Sequence, residues 1–233
     1  MKVEDKVKEI KQSFRLMMDG AVAKSMRDKG VDYHLNWGAT LPRLKAMADE
    51  MVNGQWSMVN DQWSMVNDQW SMVNDQWSMV NDRYDLAIAL WKENVRECKI
   101  LATMLMPAER MLPEVADIWM EQITTQELAE QAAFNLFQHL SYAPEKAYTW
   151  MASDKELYQL CGFHIISRLF MDKREPNERG INEFIDQALA ALQGKSLPVR
   201  KAAMSAIHRF AELGLVYERI AKSAIKQANL DFL

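Results

Sequence analysis

Two carboxylates, Glu127 and Glu130, lie on a segment whose apolar residues repeat with the period of a helix. The apolar stripe of this predicted helix, residues 125–138, consists of Leu128, Ala132, Leu136 and Leu140. Both carboxylates lie off that stripe, near Phe134 and Phe137. A carboxylate beside aromatic rings can stabilise a positive charge that develops while a bond breaks. A solvated surface pair has the same spacing, so both interpretations stay open.

A second pair of polar residues, His164 and Arg168, lies four positions apart on an otherwise apolar segment, predicted to be a helix over 155–171. An arginine in such surroundings needs a partner, because removing the partner of a buried charge costs about 3–5 kcal/mol. One interpretation is an internal ion pair with a carboxylate of a neighbouring helix. The other is a contact with an anion such as a phosphate.

Basic residues form stripes on two consecutive helices predicted near the end of the chain, where each residue advances by about 100°. The first stripe, on residues 197–212, consists of Lys201, Ser205, His208 and Arg209. The second, on residues 214–229, consists of Arg219, Lys222 and Lys226. One such stripe is typical of a solvated face. Two adjacent stripes can form a track for a phosphate backbone.

Patterns that hold metals or nucleotides are missing from the sequence. It has no Cys-x-x-Cys, His-x-x-x-His or Glu-x-x-His spacing and no glycine-rich phosphate loop. We therefore expect no metal and no cofactor. Cys98 and Cys161 lie among apolar residues, which favours free thiols in the cytoplasm. No apolar run approaches the ~20 residues that span a bilayer, so we expect no membrane insertion.

Helices must position these residues, because from Tyr84 to Leu230 one amphipathic pattern follows another and Pro or Gly interrupts each. Helices are predicted over 2–18, 21–29, 40–51, 84–91, 94–105, 111–122, 125–138, 145–152, 155–171, 178–191, 197–212 and 214–229. Pairs of such helices, about 30–45 residues long, are typical of HEAT-like repeats. The sequence predicts one all-α domain over 1–233, a HEAT-like helical-repeat solenoid or α-α superhelix.

A tandem repeat interrupts this pattern at about residues 52–82. Gln-Trp-Ser-Met-Val-Asn-Asp occurs four times without substitution, at 55–61, 62–68, 69–75 and 76–82. The repeat could supply an aromatic platform for a nucleic acid or a partner helix. Perfect identity between copies favours an inserted expansion, because core positions of structural repeats vary with their neighbours.

Five segments together carry a resemblance to a known family. They are Trp37-Gly38-Ala39-Thr40-Leu41-Pro42-Arg43-Leu44, Leu86-Ala87-Ile88-Ala89-Leu90-Trp91, Glu97-Cys98-Lys99-Ile100-Leu101-Ala102, Trp150-Met151-Ala152-Ser153-Asp154 and Val199-Arg200-Lys201-Ala202-Ala203. In order and spacing they resemble the AlkD-like DNA alkylation repair family, which are HEAT-like-repeat DNA glycosylases. The resemblance implies duplex DNA as the partner, held in a concave basic groove, and excision of alkylated purines such as 3-methyladenine or 7-methylguanine.

The resemblance also implies roles for single positions. The family's catalytic aspartate corresponds to Glu130, and the tryptophan before it corresponds to Gln126. The family's arginine corresponds to Leu160, and a later groove tryptophan to Ser205. Because both aromatic positions have changed, we expect weak or absent excision with DNA binding retained.

Two hypotheses follow from the sequence. In the first, the chain binds duplex DNA, and Glu130 is the candidate catalytic residue of an N-glycosylase. Its DNA-binding residues are Lys201, His208, Arg209, Arg219, Lys222, Lys226 and Arg168. In the second, the chain is a catalytically inactive HEAT-like scaffold that binds a protein partner. The net charge of −4 and an acidic middle, with 7 Lys and Arg against 16 Asp and Glu over 51–163, favour the second.

Overall fold

The computed structural model of the protein describes residues 2–31, 33–52 and 74–228, with residues 74–81 described by their backbone. These residues form twelve α-helices and two short 3-10 helices, Ala108–Arg110 and Phe137–His139. The α-helices are α1 (Val3–Leu16), α2 (Gly20–Asp28), α3 (Leu41–Val52), α4 (Asn74–Lys92), α5 (Arg96–Leu105), α6 (Pro113–Glu121), α7 (Gln126–Asn135), α8 (Ala143–Met151), α9 (Glu156–Met171), α10 (Glu178–Gln193), α11 (Leu197–Ala211) and α12 (Leu215–Gln227).

The all-helical prediction is confirmed over the described residues, where the one β-type feature is an isolated bridge between Leu35 and Val95. Most helix ends lie within a few residues of their predicted positions. The largest difference is at the helix predicted over 84–91, because α4 begins at Asn74, inside the last copies of the tandem repeat. The helix predicted over 125–138 ends at Asn135 and is followed by the 3-10 helix Phe137–His139. Residues 53–73, which hold most of the predicted insertion, lie outside the described residues.

Two compact units make up the chain, Met1–Met111 with α1–α5 and Leu112–Leu233 with α6–α12. The single domain remains a prediction.

In the first unit, a buried carboxylate organises the turn before α3. Oε1 of Glu97 accepts hydrogen bonds from the backbone N–H groups of Trp37 (3.1 Å) and Ala39 (3.2 Å). The buried Arg96 donates to the carbonyl of Ala39 at 2.8 Å. Through these hydrogen bonds, Arg96 and Glu97 at the start of α5 hold the Trp37 segment in place.

Helix α9 is the centre of the second unit, where it packs against α7, α8 and α11. Nine of its side chains or glycines are buried, as the apolar pattern predicted: Leu160, Cys161, Gly162, Phe163, Ile165, Ile166, Ser167, Leu169 and Phe170. Gly162 allows the close approach of α8. A Cβ atom there would lie 2.7 Å from the backbone nitrogen of Met151 and 2.8 Å from the carbonyl oxygen of Ala147.

Every helix in the part of the chain that the structure describes is too short or too polar to cross a membrane.

We predict that Gly162→Ala destabilises the protein by roughly 1–3 kcal/mol, because the added methyl group overpacks the α8–α9 contact. The matched control is Gly20→Ala, since a Cβ at Gly20 would meet no atom within 4 Å. Urea unfolding of both variants measures the difference. Equal stabilities of the two variants would show that α8 and α9 can move apart at little cost.

Candidate functional site on helices α7 and α9

Five side chains meet where α7 packs against α9, and we call them the α7–α9 cluster: Gln126, Glu130, Phe134, His164 and Arg168. The first three come from α7 and the last two from α9. The cluster joins the two polar pairs that the sequence singled out separately, Glu130 from one and His164 with Arg168 from the other.

Local sequence explains why α7 presents these residues. Thr125 caps the helix, with its Oγ1 accepting a hydrogen bond from the backbone N–H of Leu128 at 3.3 Å. The small buried face of α7, formed by Leu128, Ala129, Ala132 and Ala133, lets the helix approach α9 closely. Spacing of four residues then places Gln126, Glu130 and Phe134 in one row.

Glu130 is partly exposed and held at one oxygen. Its side chain is 30% exposed. Nε2 of Gln126 donates a hydrogen bond of 2.8 Å to Oε1 of Glu130. The same oxygen lies 3.9 Å from Nε2 of His164. The amide of Gln126 therefore orients the Glu130 carboxylate, and the imidazole of His164 approaches the same oxygen from α9.

His164 is a largely buried imidazole whose polar end lacks a partner. Its side chain is 18% exposed, and its Nε2 makes no hydrogen bond to the described residues. Burial, and then the positive charge of Arg168, lower the pKa of His164 from 6.5 to about 4. At neutral pH the imidazole is uncharged, so the 3.9 Å approach to Glu130 is not an ion pair under those conditions.

Arg168 lies against an aromatic ring. Its guanidinium carbon lies 4.5 Å from the centroid of Phe134, and one of its nitrogens contacts the sulfur of Met171 at 3.9 Å. Among the described residues, Arg168 makes no ion pair. The internal ion pair that was one of the two expectations is therefore wrong, because the side chain that α7 offers at this point is Phe134. A cation–π contact of this kind contributes about 0.5–1 kcal/mol at an exposed site.

Phe134 also contacts His164 edge-on, with ring centroids 4.9 Å apart. Phe137, which was predicted to lie near the carboxylates, is instead buried beside Trp150, with centroids 5.1 Å apart. That expectation is wrong because the chain leaves the α7 helix at Leu136, whose φ of −132° and ψ of −61° are not helical. Leu160, the position matched to an arginine, is buried in the core.

The basic stripe on α11 is exposed where predicted. Lys201, Ser205 and His208 face solvent, and the opposite face of α11 is buried through Val199, Ala203, Ile207 and Phe210. Arg209, at the edge of this stripe, pairs with Glu212 at 2.8 Å. The hydrogen bond from Arg209 lowers the pKa of the Glu212 carboxyl.

The stripe on α12, which packs against α11, is exposed as well. Arg219, Lys222 and Lys226 all face solvent. Lys222 pairs with Glu218 at 2.6 Å, whereas Arg219 and Lys226 make no ion pair within the described residues.

Sequence reasoning missed two features of the cluster. The hydrogen bond between Gln126 and Glu130 could have been found from their spacing of four residues on one helix. The contact between Phe134 and Arg168 depends on how α7 and α9 are rotated against each other, which the sequence does not state. As for metals, the described residues include no group of three or more His, Cys, Asp or Glu placed to hold an ion.

Comparison with known proteins gives a consistent result. The family model described as DNA alkylation repair enzyme matches residues 10–212. One solved structure is similar with a TM-score of 0.72 and 14% sequence identity, covering 95% of this chain and 82% of the other. It is described as a new family of proteins related to the HEAT-like repeat DNA glycosylases with affinity for branched DNA structures. The likeness confirms the HEAT-like fold. No curated protein matches the chain significantly.

We predict that His164 makes the protein less stable in acid. Its pKa is about 4 in the folded state against 6.5 ordinarily, so between these values the unfolded chain binds a proton that the folded protein does not. Stability should therefore fall as the pH drops from 6.5 towards 4, with a loss on the order of 2 kcal/mol between pH 7 and 5. In His164→Gln this loss should disappear.

Urea unfolding at pH 7 and pH 5 tests the prediction. His139→Gln is the matched control, because it makes the same substitution at an exposed histidine of the same unit. An identical loss in the wild type and in His164→Gln would contradict the account of this imidazole.

Proposed function

The chain belongs to the DNA alkylation repair enzyme family, and we propose that it binds duplex DNA through the α7–α9 cluster and the basic stripes of α11 and α12. The observation that carries this proposal is Arg168, a cation on the most buried helix of its unit that contacts an aromatic ring rather than a carboxylate.

Arg168 is suited to contact a phosphate. Its guanidinium lies over the Phe134 ring, and a planar guanidinium can donate two parallel hydrogen bonds to phosphate oxygens. No described carboxylate has to be displaced before the phosphate binds. The cluster therefore offers a positioned donor beside the carboxylate of Glu130.

The α11 and α12 stripes add exposed cations in the same unit as the cluster. Two of their cations already have carboxylate partners, Arg209 with Glu212 and Lys222 with Glu218. Exposed ion pairs of this type stabilise a protein very little, so a phosphate can replace the carboxylate at little cost. Lys201, Arg219 and Lys226 have no described ion-pair partner to lose.

Local charge supports the proposal although the whole chain is acidic. Residues 164–233 carry 11 Lys and Arg against 8 Asp and Glu, while the chain has a net charge of −4. The field near a surface depends on the charges close to it, so a basic region on an acidic protein can bind a polyanion. The branched-DNA affinity described for the related structure makes a four-way junction a second ligand worth testing.

For chemistry, we assign to Glu130 the role of the carboxylate that faces a sugar cation during loss of an alkylated purine. A carboxylate stabilises such an oxocarbenium-like centre electrostatically, as in other glycosidic cleavages. Its Oε1 is held by Gln126, which leaves Oε2 to face the sugar. With Gln126 and Ser205 at positions where the family resemblance expects tryptophan, the damaged base lacks aromatic stacking, so excision is expected to be slow.

We predict that the triple variant Lys201→Gln, Lys222→Gln, Lys226→Gln binds duplex DNA more weakly and with a shallower salt dependence. Each phosphate contact adds about 0.9 to the slope of log K against log salt, so the slope should fall by roughly 2 to 3. Fluorescence anisotropy with labelled duplex and junction DNA at several salt concentrations gives both quantities.

The matched control removes three exposed lysines from the first unit, Lys24, Lys29 and Lys45, and changes the net charge equally. A slope that falls as much in this control would show that net charge, and not the α11 and α12 stripes, determines binding.

We predict that the wild type releases 7-methylguanine slowly from duplex DNA and that Glu130→Gln abolishes the release. The variant keeps the shape of the side chain and removes the charge that faces the sugar. Glu127→Gln serves as control, because Glu127 lies on the same helix outside the cluster. Counting abasic sites after single-turnover incubation measures the rate. Salt-sensitive binding with no release by the wild type would refute the assignment of Glu130 and leave the DNA-binding proposal intact.

A further inference from the structure

We propose that DNA binding at the α7–α9 cluster takes up one proton onto Nε2 of His164, which then pairs with Oε1 of Glu130. The inference rests on the proposed DNA binding and adds to it a regulation by pH. The proton comes from solvent, and no covalent bond to the DNA forms or breaks in this step.

A carboxylate that can pair with the protonated imidazole already lies beside it in the free protein. Nε2 of His164 is buried, makes no hydrogen bond to the described residues, and lies 3.9 Å from Oε1 of Glu130. A protonated imidazole donates from both nitrogens, so Nε2 would then have a charged acceptor within ion-pair distance. A small movement of either side chain shortens the contact to a hydrogen bond.

Two causes keep this imidazole neutral in the free protein. Burial is the larger cause, and the guanidinium of Arg168, on the same helix, is the second. Glu130 faces His164 from α7, with its Oε1 3.9 Å from Nε2, and is not among the causes of this shift, which lowers the pKa of His164 to about 4. Helices α8 and α11 and the 3-10 helix Phe137–His139 also pack against α9, and none of their titratable groups, including His139 and His208, is among the causes of this shift.

A bound phosphate changes the second cause. When a phosphate contacts Arg168, its negative charge offsets the positive charge that repels a proton from His164. The affinity of His164 for a proton then rises, and by linkage the affinity for DNA rises as the pH falls. Arg168 would therefore connect the phosphate to the proton, and Phe134, which contacts both Arg168 and His164, would hold the two in place.

Glu130 would be repositioned by the same event. Its Oε1 now accepts a hydrogen bond from Gln126, and a charged His164 would compete for that oxygen. Binding of DNA at mildly acidic pH would thus draw the carboxylate towards α9.

Titration calorimetry with undamaged duplex DNA at pH 5.5, in buffers of different ionisation enthalpy, measures the protons taken up. We expect up to about one proton for the wild type and roughly tenfold tighter binding at pH 5 than at pH 7. His164→Gln should bind DNA without this uptake of a proton, and its affinity should no longer rise as the pH falls. His139→Gln, the matched control, should behave as the wild type.

His208→Gln is a second comparison, because His208 is an exposed histidine of the α11 stripe. Uptake that disappears in His208→Gln and persists in His164→Gln would overturn the inference, as would pH-independent binding by the wild type. Absence of salt-sensitive binding at any pH would refute the proposed function and this inference with it. NMR titration of the imidazoles in the wild type, with and without DNA, gives the same answer even if His164→Gln does not fold.

Discussion

The close contact between α9 and α8 at Gly162 is the constraint on which the second unit depends. With no side chain at that position, the backbone of α8 lies where a Cβ atom would be 2.7 Å from Met151. Helix α9 is consequently enclosed by α7, α8 and α11, and its core positions admit almost no polar side chain. His164 and Arg168 lie where α9 meets Phe134 of α7, and both side chains remain partly exposed there.

This enclosure determines the electrostatics of the cluster. Burial removes His164 from water, and Arg168 adds a positive charge one helical turn later. Both effects lower the pKa of the His164 imidazole. Glu130 is kept in place by Gln126 and stays partly exposed. Arg168, which has no carboxylate partner among the described residues, and the neutral imidazole of His164 thus contact one aromatic ring, and the oriented carboxylate of Glu130 lies 3.9 Å from that imidazole. Such an arrangement stabilises the fold less than an apolar cluster would, which is consistent with a role in binding.

Much of the fold could be predicted because proline and glycine mark the helix ends. Pro113 and Pro198 lie in the first turns of α6 and α11, and Asn177 caps α10. The end of α7 could not be predicted, because Phe137 continues the apolar pattern of the helix. In the structure Phe137 lies beyond the end of α7 and packs on Trp150. Periodicity within one helix does not contain that long-range contact.

The candidate site could be predicted in part for a related reason. Exposure of Lys201 and His208 follows from the position of the apolar stripe on their own helix. The partner of Arg168 depends on the rotation of α7 relative to α9. In place of the expected carboxylate, Arg168 contacts the ring of Phe134. Residues that face solvent are determined by one helix, whereas residues that meet are determined by two.

Lysine acetylation footprinting with and without duplex DNA tests the central claim most directly, since it locates the contact surface without an amino-acid substitution. The account predicts that DNA protects Lys201, Lys222 and Lys226 and leaves the exposed Lys24, Lys29 and Lys45 as reactive as in the free protein. Protection confined to the second group, with Lys201, Lys222 and Lys226 unchanged, would contradict it.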